Sequence, residues 1–82
     1  MTTPPAFRVE VLDDAVRTDT MRGSIMILHE WWERLTLEQR RVVIDVASEV
    51  SGRHGGGLHM TSSAVARFRN DFIATLIKAV MS

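Results

Sequence analysis

Both tryptophans fall in one stretch, Thr18 to Leu35 (TDTMRGSIMILHEWWERL), and its apolar spacing constrains the fold more than any other feature. Met21, Ile25, Leu28, Trp32 and Leu35 recur at intervals of four and three, which puts them on one stripe of an α-helix. Ile27 and Trp31 flank the stripe and widen the apolar arc beyond what one neighbouring helix would cover. The spacing therefore predicts a central helix over about residues 19–35, capped by Thr18 or Asp19. Gly23 costs about 1 kcal/mol relative to Ala in a helix interior, so it marks either a slow start or a close approach by another backbone. On this reading Trp32 points into the core, and Trp31 lies at the edge, where an arm or second subunit covers it.

Two further helices follow. Thr36-Leu37-Glu38-Gln39 matches a capping box and opens a helix over about residues 37–51, with Val43, Val46, Ala47 and Val50 inward. Leu37, Val42 and Ile44 flank that face, and Gly52 is its natural stop. Residues 52–60, with three consecutive glycines, read as a flexible loop. Thr61 or Ser62 caps a last helix over about residues 62–80, whose stripe is Val65, Phe68, Phe72, Leu76 and Ala79. Ile73, Ile77 and Val80 form a second apolar edge that three helices leave in water, so it calls for another chain or an arm.

At the other end, Pro4-Pro5 predicts an extended lead. Phe7, Val9 and Val11 alternate with Arg8 and Glu10, a strand-like pattern over residues 7–12 that Asp13-Asp14 stops. No other segment reads as β, so this strand pairs with its copy in a second subunit or lies over the helices. The expected fold is thus all-α: a three-helix, bundle-like domain over residues 18–82, an N-terminal arm over residues 1–17, and a homodimer.

Composition narrows the function by exclusion. At 82 residues the chain is one domain near the lower limit for folding alone, and a partner subunit would help. Ten basic residues balance ten acidic ones, so there is no global attraction to nucleic acid or membrane. Without cysteine, neither disulfides nor thiolate chemistry are available, which fits the cytoplasm. The start lacks the pattern of a signal peptide. The longest apolar-rich stretch, Phe72 to Met81, is broken by Lys78 and falls far short of the roughly 20 residues that span a bilayer.

Candidate chemistry is sparse. His54-Gly55-Gly56-Gly57 coincides with an oxyanion-hole string, but that chemistry needs a Gly-x-Ser-x-Gly elbow, which is absent. His54 and His59 flank the glycines and His29 stands apart, without the ligand clusters of a zinc site. Arg53 and the N–H groups opening the last helix could cradle an anion, although no P-loop pattern is present. No nucleophile, base or metal cluster assembles, so a non-enzyme without cofactor is expected.

From Leu35 onward, LTLEQRRVVIDVA, a loop and then TSSAVARFRNDFIATL resemble the helix-turn-helix of LuxR-type regulators and region 4 of sigma factors. The resemblance implies that Thr61, Ser62, Ser63, Arg67 and Asn70 face DNA. The chain departs from those families where GRHGGG replaces their short scaffold helix, and Asp71 adds repulsion from phosphate. The expected function is a non-enzymatic protein–protein interaction or regulatory module, self-associating through Phe7, Val9, Val11, Ile27, Trp31, Ile73, Ile77 and Val80. The alternative is a DNA-binding regulator using Ser63, Arg67 and Asn70.

Overall fold

A computed structural model describes residues 4–54 and 61–81. Pro5 opens a 3-10 turn, Pro5–Phe7, where its missing N–H costs nothing. Arg8 is extended, and α1 (Val9–Ala15) begins directly after it. The segment expected to be a strand over residues 7–12 is therefore a turn followed by a helix. Phe7, Leu12 and Ala15 are the residues it buries, while Val9 is 61% exposed. The apparent alternation came from reading two elements as one.

The expected central helix over residues 19–35 is also absent. In its place β1 (Val16–Asp19) and β2 (Ser24–Ile27) form an antiparallel hairpin, followed by a short α2 (His29–Glu33). Gly23, at φ 65°, closes the hairpin turn in a left-handed conformation that suits glycine. The Asp19 carboxylate accepts from the Arg22 N–H at the other side of that turn. Ile25 and Ile27 are β-branched and alternate with Ser24 and Met26, so the stretch satisfies period 2 as well as period 3.6. The turn chemistry decides between them. The all-α, three-helix expectation is thus replaced by a mostly helical α+β fold, with four α-helices and a two-stranded sheet among the described residues.

Breaking the helix also exchanges the tryptophans. Trp31 is 4% exposed, donates its indole N–H to the Ala6 carbonyl at 2.7 Å and meets the Phe7 ring edge-on, with centroids 5.8 Å apart. Trp32, expected in the core, is half-buried.

The remaining helices are long. Thr36 and Gln39 make the reciprocal capping box that opens α3 (Leu37–Arg53), with bonds of 2.9 and 3.2 Å. Gly52 lies within α3 rather than ending it. Thr61 accepts from the Ala64 N–H at the start of α4 (Ser62–Met81). Val43, Val46 and Val50 of α3 and Val65, Phe72 and Leu76 of α4 supply the buried faces between them. α4 is the element the others share: α3 packs along it, β1 lies across it, and α1 and the N-terminal turn rest against it. No described helix is long and apolar enough to cross a membrane.

Two stability predictions follow from this packing. Trp31→Ala should cost about 3–5 kcal/mol, because it removes a buried ring. Trp32→Ala should cost clearly less; urea unfolding followed by circular dichroism would rank the two, and the reverse order would contradict this packing. A Cβ added at Gly52 meets nothing within 4 Å. Gly52→Ala should then stabilise α3 by about 0.5–1 kcal/mol in the same assay.

Candidate protein-binding groove

Two strands do not cover two helices, and an open groove of about 620 Å³ lies where the cover ends. Ile25 and Ile27 of β2 form one wall and Trp32 of α2 closes one end. Val43, Ile44 and Ala47 of α3 form the opposite wall, with Ser48 and Ser51 beside them. Phe68 and Phe72 of α4 make the floor. No described lining residue carries a charge. Ile44 is 56% exposed on the rim.

The Trp32 end is held by Arg40. Its guanidinium lies 5.4 Å from the indole centroid and donates to the Trp32 carbonyl at 3.2 Å and the Glu33 carbonyl at 3.4 Å. One side chain therefore stacks on the ring and ties down the C-terminal end of α2.

A second concave surface between the end of α3 and the middle of α4 is ionic. Arg53 donates to both oxygens of Asp71 at 2.8 and 3.2 Å, to Thr75 at 2.8 Å and to Glu49 at 3.1 Å. His54 Nε2 lies 2.9 Å from Asp71, and its ring tilts over Phe68. The hydrogen bond from Arg53 is the main cause that lowers the Asp71 pKa from 3.8 to about 2; His54 adds to it and desolvation opposes it. Arg53 is raised in turn, chiefly by its bond to Asp71. These groups satisfy one another across α3 and α4, so the cluster works as a brace. His54 contacts the carboxylate through Nε2 as part of that brace.

The residues expected at an interface do not share one face. Phe7 and Trp31 are core; Val9 is exposed; Val11 sits half-buried beside a smaller cavity of about 320 Å³ at α1 and α2. Ile73, Ile77 and Val80 are half-buried and pack against the core. Of that set Ile27 alone lines the groove. Ser63, Arg67 and Asn70 are exposed on α4, as are Thr61 and Ser62. His29 is largely exposed and pairs with Glu33 at 3.3 Å. His59 and the glycines at 55–57 lie outside the described residues. Among the described residues no group of three or more His, Cys, Asp or Glu is placed to hold a metal.

Sequence reasoning missed Ile25, Trp32, Phe68 and Phe72 as groove residues because it assigned them to the core stripes. Ile44, set outside the inner face of α3, carried the available signal. Comparison with protein-family models, with curated proteins and with solved structures finds no match for the chain.

The Asp71 brace makes a prediction about acid stability. The folded-state pKa is depressed, so the stabilisation is complete above about 3.8 and is lost as pH falls toward about 2. Asp71→Asn should be less stable than the wild type at pH 6 and should lose less stability between pH 4 and pH 2. Thermal melts across that range would show the two curves converging; parallel curves would rule out the assignment.

Proposed function

We propose that the chain is a small non-enzymatic protein–protein interaction module whose binding face is the groove between β2 and α3. The observation that carries this reading is the uncharged, apolar lining of described residues left open to solvent beside an exposed Ile44. Apolar surface concentrated in one concave site favours a polypeptide partner, either a second copy or another chain. Phe7 and Trp31, expected at a homodimer interface, are buried, so a second copy would need an exposed face such as this groove.

Ile44→Asp tests the reading, because Ile44 is exposed and its replacement should change folding by roughly 0.5 kcal/mol or less. Two measurements cover the two kinds of partner: sedimentation of the wild type over a concentration series, and selection from a displayed library of small folded domains and peptides. At least one should give association that Ile44→Asp weakens by about tenfold, with the circular dichroism spectrum unchanged. Failure of both would remove the proposal.

The nucleic-acid reading keeps one favourable observation, the exposure of Ser63, Arg67 and Asn70 along α4. Duplex binding would have to weaken steeply with salt and fall in Arg67→Ala, whereas groove binding should do neither.

A further inference from the structure

The hairpin register points backbone groups out of both edges of the sheet, and at β2 none of them meets a described partner. The Leu28 N–H donates to the Ala15 carbonyl at 2.8 Å. Hydrogen-bonded pairs alternate along an antiparallel ladder, so Arg17–Met26 and Asp19–Ser24 face each other with their bonds exchanged. The N–H and C=O groups of Val16 and Thr18 then point away from β2, and those of Ile25 and Ile27 point away from β1. At the outer edge of β1 the Val16 carbonyl accepts from Arg69 Nε at 2.7 Å. At the outer edge of β2 no described residue hydrogen-bonds the backbone of Ile25 or Ile27. Their side chains are the β2 wall of the groove.

Layer widths say what is missing. Strands lie about 4.8 Å apart and packed helices about 8–10 Å apart, so two strands cover roughly one helix. Here the hairpin sits on α4 and stops, and beside it on α3 Ile44 is left exposed and Ala47 half-buried above the buried Val43. A strand set beside β2 would lie directly over the groove.

We infer that β2 is an acceptor edge. An extended segment of another polypeptide, with uncharged apolar side chains at alternate positions, adds to it as a third strand and fills the groove. Its backbone bonds to the outward groups of Ile25 and Ile27, and its inward side chains enter a lining whose described residues hold no charge, where a charged residue would be desolvated unpaired. A second copy in antiparallel pairing fits poorly: its β1 would lie about 10 Å from β2 on the α3 side, and its α4 would fall on the same face as α3. The inference rests on the groove being the binding face.

The test uses the full chain and a displayed library of random dodecapeptides. Enriched peptides should carry apolar residues at every second position, and Ile44→Asp should release them. Synthetic versions N-methylated on the amides of one alternate set should bind about tenfold more weakly, as expected from losing one or two backbone hydrogen bonds, while methylation of the other set should change little. No enrichment, apolar residues recurring every three or four positions, or equal effects of both methylation sets would overturn the inference. If peptides fail while self-association or a folded-domain binder is lost in Ile44→Asp, strand addition is wrong and the interaction reading stands.

Discussion

Arg69 fixes where the hairpin sits, and the open groove depends on that placement. From α4 it donates Nε to the Val16 carbonyl at 2.7 Å and Nη2 to both the backbone and the carboxylate of Asp13, each at 2.7 Å. Three acceptors at the junction of α1 and β1 are thereby held to a helix more than fifty residues away in sequence. A planar guanidinium can meet them together, whereas a lysine would reach one. The bond also occupies a β1 carbonyl that would otherwise face α4 without a partner. At the outer edge of β1 the Val16 groups are thus taken, its carbonyl by Arg69 and its N–H by the Leu12 carbonyl, whereas at β2 no described residue bonds the backbone of Ile25 or Ile27.

Two other ties work in the same direction. Trp31 clamps the N-terminal turn through the Ala6 carbonyl and the edge of Phe7, which makes the N-terminal segment part of the core and not a free arm. Arg53, His54 and Asp71 brace the end of α3 against α4 beyond the groove. All three are long-range contacts anchored on side chains with both an apolar stem or ring and a polar tip. None of these residues lines the groove. Arg53 and Arg69 are thus engaged in hydrogen bonds within the chain. This leaves Arg67 with Ser63 and Asn70 on the outer face of α4, a thin basis for phosphate contacts.

The helical half of the fold was legible because its signals are local. Thr36 and Gln39 form the capping box that their spacing announces, and the apolar stripes of α3 and α4 follow 3.6 without competition. The stretch from Val16 to Leu35 was not, because Ile25, Ile27, Leu28, Trp31 and Trp32 fit a helix and a hairpin equally well by spacing. What separates the two is Asp19 and Gly23 bracketing a turn, a signal that counts only if glycine is read as a φ > 0 residue and not as a weak helix former. The groove was illegible for a further reason. Period identifies which residues turn inward, but it does not say whether an opposing layer is wide enough to cover them.

That mismatch of widths bears on what β2 is for. Exposed sheet edges are commonly protected by charge, proline, a bulge or a covering helix, since an unguarded edge recruits other strands. β1 has the last of these protections, in α4 and Arg69. Ser-Ile-Met-Ile has none: it holds no charge and no proline, it pairs in continuous register, and its central Met26 is half exposed. What restrains it is shape. α3 lies on the face that the α4 of an antiparallel-paired copy would also need, whereas a single added strand brings no helix with it. Selection at this edge would then rest on excluded volume and an uncharged lining, which admit an extended apolar segment and turn away both a charged peptide and a second copy of the fold.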